Sequence, residues 1–251
     1  MRKLISSLMA ATLLATMPAL AQAAPAGAAQ GVKPAADAER GGIVQTLVVG
    51  SDIFMGDLVK TGDSGQVQIL FADNTELVVG PHSSLRIEDY LLRNDGSAGQ
   101  LAINMLAGYF RFATGNAPKN RYRLDTPTGT IGVRGTGFDT FIEESGISWV
   151  LHYHGIVHFC SVSGVCADLS DLCTVGRFDA QDAAIIGDSR KIKGDAREAL
   201  KAQFIYSDNE APLLARFRIP HAFECLHNRP DVPLDDPDAP RKSDPVKPGT
   251  R

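Results

Sequence analysis

Residues 42–159 consist of short apolar runs separated by turn residues, and this rhythm limits the fold more than any other feature of the chain. The run Gln66–Phe71 alternates polar and apolar residues, which is typical of a strand with one buried face. Glycine, aspartate and proline end the runs before a helix of ordinary length can form. Strands at such short intervals predict an all-β domain, either a sandwich or a solenoid-like stack of strands.

Residues 124–141 contain four glycines set between apolar residues. A glycine costs roughly 1 kcal/mol in a helix interior, so we expect strands on both sides of a sharp turn. Glycine tolerates positive φ and allows two backbones to approach closely. The pattern predicts a structural turn formed by four residues: Gly132, Arg134, Gly135 and Gly137.

Arg134 is the one charged residue within that turn. Its guanidinium suits a bidentate pair with the carboxylate of a ligand. A local structural role is favoured, because Asp125 and Asp139 are nearby in the sequence and side chains commonly bond within the chain. A phosphate-binding loop is excluded, because it requires a lysine and a hydroxyl residue that open a helix, whereas the residues after Gly137 predict a strand.

The N-terminus has the pattern of an export signal. Two basic residues precede an apolar run at residues 4–20, and small residues follow at 21–24. An uncleaved membrane anchor is less favoured, because threonines and a proline interrupt the run and a span needs about 20 predominantly apolar residues. We therefore expect a signal peptide over residues 1–24, a periplasmic or secreted protein, and no membrane span in the mature chain.

The remainder of the chain divides by composition. We expect a flexible leader at 25–40, a β domain at 41–190, a disulfide-tied helical segment at 191–228 and a disordered tail at 229–251. Good helix formers at 195–204 predict a short helix with Asp195 as its N-cap and Ala199, Leu200 and Phe204 facing inward. A second helical turn is expected within residues 211–217.

Four cysteines lie in the second half of the chain: Cys160, Cys166, Cys173 and Cys225. Export favours disulfides, and four cysteines allow three pairings. We favour Cys160 with Cys166, which closes a small loop, and Cys173 with Cys225, which ties back the C-terminal segment and lets it cap one end of the β structure. A zinc site is the alternative, but CxxC spacing is absent from the sequence.

Three histidines in a predicted strand form a candidate metal site: His152, His154 and His158. His152 and His154 are expected on one face, because side chains alternate along a strand. Gly155 allows a turn that brings His158 to them, and three imidazoles suit zinc or copper. The alternative is that these histidines decorate a polar surface, and no cofactor is expected.

Four motifs occur in order: GDLVKTGDSG at 56–65, VQILFADNTEL at 67–77, PHSSLRI at 81–87 and TPTGTIGVRGTGF at 126–138. Together they resemble the FecR domain family of exported bacterial proteins over residues 42–159. The resemblance implies an all-β periplasmic domain that acts through protein contacts, and it supplies no catalytic residues. Founding members relay a signal across the membrane to a sigma factor through a cytoplasmic segment and a membrane helix. This chain carries a signal-like N-terminus instead, so that role is not carried over.

We therefore expect an exported, non-enzymatic protein that binds an envelope protein through strand edges and loops, in signalling or scaffolding. The sequence lacks the hydrolase motifs GxSxG and HExxH, and its net charge of −4 argues against nucleic acid. The alternatives are metal binding at the histidines and binding of an envelope glycan or small ligand. Four aromatic residues suit glycan stacking if they lie outside the core: Tyr109, Tyr122, Trp149 and Tyr153.

Overall fold

The computed structural model describes residues 24–92, 98–116 and 121–227. The expected disordered tail and almost all of the expected signal peptide lie outside these residues. The described strands are β1 (Gly27–Lys33), β2 (Ala36–Arg40), β3 (Ile43–Thr46), β4 (Asp52–Ile53), β5 (Leu58–Thr61), β6 (Gln66–Phe71), β7 (Glu76–Val79), β8 (Ser84–Leu92), β9 (Ala98–Ala113), β10 (Tyr122–Thr126), β11 (Gly129–Ile142), β12 (Ser148–Ser161), β13 (Cys166–Leu169), β14 (Thr174–Phe178) and β15 (Ala183–Asp188). The described helices are α1 (Asp195–Gln203) and α2 (Ile205–Asp208), with 3-10 helices at Ser189–Lys191, Ala215–Phe217 and Phe223–Cys225.

The strands form one large open sheet, so the all-β prediction is confirmed. Its main path runs β15-β14-β12-β11-β10-β9-β7-β6-β1-β4, and β8, β5, β2 and β3 branch from β9 in that order. The first half of β9 pairs with β8 and β10, and its second half pairs with β7 and β11. Strands that pair with either half of β9 contribute side chains to one core cluster.

The core lies between the inward faces of these strands. Phe110 and Phe112 of β9 alternate with outward-facing neighbours and pack with Phe138 of β11 in one buried cluster. Burying a side chain of this size stabilises the fold by about 1.5–3 kcal/mol.

The flexible leader expected at 25–40 is wrong for the described residues. These residues form β1 and β2, and Ala29 and Ala36 are buried. A Cβ on Gly27 would lie 2.5 Å from the carbonyl oxygen of Leu70. Small residues that suggested a linker instead allow β1 to pack closely against β6.

A tight hairpin joins β2 to β3. Gly41 and Gly42 have φ values of +57° and +80°, which is the conformation of a type I′ turn, and Arg40 pairs with Ile43 across it. In the described part of the chain β3 pairs only with β2, and all four of its residues are exposed. The strand is therefore an open edge of the sheet.

The segment 191–227 covers the outer face of the sheet rather than capping one end. Leu200 and Phe204 pack against Leu151 and Tyr153 of β12, and Phe217 packs with Val78 of β7. Three details differ from the predictions. Gly194 rather than Asp195 precedes α1 as its N-cap, and Ala199 is exposed. The expected helical turn within 211–217 is reduced to the 3-10 helix Ala215–Phe217. Among the helices described, none has the length and apolar character needed to cross a membrane.

Candidate functional site

The glycine-rich stretch is part of one continuous strand, so the predicted sharp turn is wrong. β11 runs through it, and its register with β12 shifts between Arg134 and Gly137. Gly135 takes a φ of +59°, a value that favours glycine. On its other edge β11 pairs first with β10 and then with β9. Because ladders hold both edges, the glycines form a β-bulge instead of reversing the chain.

A second bulge lies opposite the first, on β12. Gly137 pairs with His154 and Phe138 pairs with His152, so Tyr153 has no opposite residue on β11. Gly155 has a φ of +82°, and a Cβ there would lie 2.3 Å from the carbonyl oxygen of Gly135. The two bulges therefore pack directly against each other.

The bulges separate the three histidines, so the predicted three-histidine metal site is wrong. His152 is buried, and its ring nitrogens lie 2.9 Å from the Asp171 carbonyl oxygen and 3.1 Å from that of Gly155. His154 is exposed at the residue level, and its Nδ1 lies 3.3 Å from the Gly135 carbonyl oxygen. Alternation fails here because a bulge moves one side chain out of phase.

The pKa of His154 is lowered from its ordinary value. Partial burial of the ring is the main cause, the contact with the Gly135 carbonyl opposes it, and the nearby His152 adds to the lowering. His154 therefore favours its neutral form in the folded protein.

His158 belongs to a different cluster, on the exposed face of the β12–β13 hairpin. Within the described ranges, one group of three possible ligand residues has its atoms close together, namely His158, Cys160 and Cys166. The two sulfurs are joined in a disulfide, so they offer no thiolate to a metal in this state.

Both disulfides follow the favoured pairing. Cys160 of β12 and Cys166 of β13 are opposite each other in the sheet. Cys173, which directly precedes β14, is joined to Cys225 of the C-terminal segment, and both are fully buried. The two bonds thus differ sharply in their exposure to solvent.

An open groove of about 460 Å³ lies beside the disulfide hairpin, lined by Tyr122, Gly132, Val133, Arg134, Ile156, His158 and Asp168. The predicted local partners of Arg134 are engaged elsewhere, since Asp125 pairs with Arg123 and Asp139 pairs with Arg111. Arg134 itself is exposed and pairs with neither of these two carboxylates in the described ranges.

Among the described residues, Arg111 has the largest fully buried side chain, and the sequence pattern does not predict its role. Its Nε lies 2.6 Å from one carboxylate oxygen of Asp139 and its Nη2 lies 3.0 Å from the other, and Glu210 of the C-terminal segment pairs with Nη1. The rings of Tyr153 and Tyr206 lie near the guanidinium, with their centroids 5.4 Å and 5.8 Å from Cζ. The arginine therefore joins β9 and β11 to the segment that covers them.

The pKa values at this cluster follow from burial and charge. Burial alone would lower the pKa of Arg111, but the negative charges around it, above all that of Asp139, outweigh burial and raise it. Burial and the charge of Asp139 raise the pKa of Tyr153 and of Tyr206. The arginine stays charged and both phenols stay neutral, which describes a structural ion pair rather than a proton-transfer site.

Exposed apolar side chains are concentrated in and after β3. Within residues 43–55, five large apolar residues are more than half exposed: Ile43, Val44, Val48, Val49 and Met55. The aromatic residues considered for glycan stacking are placed differently. Tyr122 and Tyr153 are buried, Tyr109 stacks on Phe141, and Trp149 is half-buried with its indole N–H donating to Glu143. These four residues therefore do not form an exposed stacking surface.

A comparison of the sequence with protein-family models gives a match over part of the chain. The model of the FecR protein family matches residues 57–158. This part of the chain is similar to the FecR protein family. The matched residues include Arg111, Asp139 and the paired bulges, whereas Glu210 and Cys225 lie beyond them.

Two crystal structures of a proposed anti-sigma factor from Parabacteroides distasonis ATCC 8503 are similar in part. The TM-scores are 0.43 and 0.42, the identities are 13% and 12%, and each alignment covers 58% of this chain and 63% of the other. The chain thus spans less than two thirds of the length of these proteins. No curated protein matches the sequence.

Proposed function

We propose that this chain is an exported, non-enzymatic FecR-domain protein that binds an extended segment of a protein partner along the open edge of β3. The observation that carries this proposal is that β3 pairs only with β2 among the described strands and is exposed on both faces. An unpaired strand edge is a template for a further strand, which is the mode of binding called β-augmentation.

The hairpin register determines which backbone groups of β3 are left unpaired. A two-residue turn makes Arg40 and Ile43 a hydrogen-bonded pair, and such pairs alternate along the ladder. In agreement, the amide of Leu47 donates to the carbonyl oxygen of Ala36 at 2.8 Å. The N–H and C=O groups of Val44 and Thr46 therefore point toward the open edge.

The side chains of β3 also favour a partner. Soluble proteins commonly protect edge strands with lysine, proline or other charged residues. β3 has the sequence IVQT and carries no charge, and Val48 and Val49 extend the exposed apolar surface beyond it. An extended segment with apolar side chains at alternate positions complements this surface.

The proposed location and the absence of catalysis rest on other features. Two disulfides favour an oxidising compartment, and the N-terminal sequence has the pattern of an export signal. The FecR resemblance supplies no catalytic residues and implies action through protein contacts, in signalling or scaffolding.

Site-specific photo-crosslinking in cells that make the protein tests this function. A photoreactive amino acid replaces Val44, and a matched variant carries it at Val162, which has similar exposure and lies in the β12–β13 turn. We expect a discrete adduct with another envelope protein from position 44 and none from position 162. Equal adducts from both positions, no adduct from position 44, or an adduct of two copies of this chain would contradict the proposal.

A further inference from the structure

We propose that Cys160 and Cys166 form a thiol–disulfide exchange site, in which His158 acts as the acid for the departing sulfur and Asp168 orients His158. The reductant is a dithiol of the kind carried by protein oxidoreductases. This inference is independent of partner binding at β3.

Four side chains form a compact block on the outer face of one hairpin. His158 pairs with Asp168 and Cys160 pairs with Cys166 in the ladder between β12 and β13. Val157, Phe159 and Leu169 point into the core, so alternation places the block on the solvent side. The sequence places these residues at the spacing that a strand requires for a shared face.

Two short contacts connect Asp168 to His158 and His158 to Cys160. Nδ1 of His158 lies 2.7 Å from a carboxylate oxygen of Asp168, and Nε2 lies 3.2 Å from Sγ of Cys160. The carboxylate selects the ring form that carries hydrogen on Nδ1, so that Nε2 faces the sulfur. A second proton then makes Nε2–H a donor to that sulfur.

The exchange proceeds in two balanced steps. A thiolate of the dithiol attacks Sγ of Cys166, the S–S bond breaks, and its electron pair goes to Sγ of Cys160, which receives the proton from Nε2 of His158. The mixed disulfide joins the first sulfur of the dithiol to Sγ of Cys166. The second thiolate of the dithiol then attacks that first sulfur, this bond breaks, and Cys166 leaves as a thiolate. The dithiol is oxidised to a disulfide, and the cystine is reduced by two electrons to two cysteines.

Exposure supports attack at this bond rather than at the other disulfide. Cys166 is exposed, whereas Cys173 and Cys225 are fully buried. The groove lined by Arg134, Ile156, His158 and Asp168 opens beside the hairpin. A protein dithiol thus has a surface on which to bind next to the reactive sulfur.

Timed reduction of the folded chain with dithiothreitol, followed by alkylation and mass spectrometry, tests the proposal. We expect the Cys160–Cys166 bond to open at least about tenfold faster than the Cys173–Cys225 bond, because attack on a disulfide requires access. We expect His158→Asn and Asp168→Asn each to slow that opening several-fold, and His82→Asn, a variant of an exposed histidine near Asp63, to leave it unchanged.

A pH profile separates the chemical role of His158 from simple exposure. The rate constant per dithiol thiolate is expected to rise with increasing acidity in the unmodified protein, because His158 supplies the proton to the departing sulfur, and to lose that rise in His158→Asn. Among the described residues, Asp168 on β13 pairs with His158, Arg134 on β11 lines the same groove, and Arg123 on β10 lies in the same row of the sheet, next to Gly132. A flat profile, equal reduction of the two disulfides, or an unchanged rate in His158→Asn would overturn the proposal.

Discussion

Arg111 and Glu210 lie 99 residues apart in the sequence, and their side chains form an ion pair between the sheet and the C-terminal segment. Asp139 holds the same guanidinium from β11. Taking these charges out of water is costly, and the attraction among them offsets that cost only while every member is present. The cluster therefore ties the C-terminal segment, which lies outside the residues matched by the FecR model, to the sheet.

Replacing Arg111 should destabilise the fold strongly. Arg111→Met leaves Asp139 and Glu210 without their cation, so we expect a loss of about 3–5 kcal/mol in the free energy of unfolding. Arg123→Met is the matched control, because Arg123 is 70% exposed and its pair with Asp125 should contribute less than about 1 kcal/mol. Urea unfolding measures both variants. Similar small losses in the two would show that the buried cluster is not a stabilising link.

The two disulfides should contribute unequally to stability. Their sequence separations are 52 residues for Cys173–Cys225 and 6 residues for Cys160–Cys166. Loop-closure entropy predicts about 4 kcal/mol for the longer loop and about 2 kcal/mol for the shorter one. Paired cysteine-to-serine variants, compared by thermal and urea unfolding, measure this difference. The reverse order of losses would contradict the entropic account.

Gly155 should tolerate substitution less well than another glycine of similar backbone conformation. Gly155→Ala adds a Cβ 2.3 Å from the Gly135 carbonyl oxygen, whereas Gly164, with φ +91°, has open space around it. The left-handed conformation costs each alanine roughly 1–2 kcal/mol, and only Gly155→Ala adds the clash. Unfolding measurements on both variants isolate that clash. Equal losses would mean that the bulges separate without cost.

His154 should titrate below its ordinary pKa of 6.5, because burial of its ring disfavours the charged form. The unfolded chain then binds more protons than the folded one in the window below pH 6.5. The contribution of His154 to stability is therefore present above that pH and is lost as pH falls through the window. Nuclear magnetic resonance titration of the ring protons measures the pKa. A value at or above 6.5 would refute the assignment.

Particular residues show why the sequence predicted the sheet better than its sites. Turn residues and alternation were sufficient for the strands and for the all-β class, because both depend on local chemistry. Alternation predicts that His152 and His154 share one face, because a period-two pattern gives no sign of the bulge at Tyr153. The burial of Arg111 is not predictable from its own strand, because its side chain lies on the outer face of the sheet. The C-terminal segment that carries Glu210 covers it. The Gly-Gly turn before β3 is a recognised hairpin signal that was available from the sequence.

The most direct test of partner binding at β3 separates its backbone from its side chains. A photoreactive amino acid at Ile43 reports the partner in cells. Val44→Pro with Thr46→Pro removes two amide donors from the open edge and spares the amides that pair with β2. Val44→Ala with Thr46→Ala keeps those donors and serves as the matched control.

We predict that the proline pair lowers the yield of the adduct about tenfold or more, because each lost hydrogen bond contributes about 0.5–1.5 kcal/mol. The alanine pair should retain most of the adduct, and circular dichroism should show the same fold in both. An adduct that survives in the proline pair, or that falls equally in the two pairs, would contradict strand addition at β3.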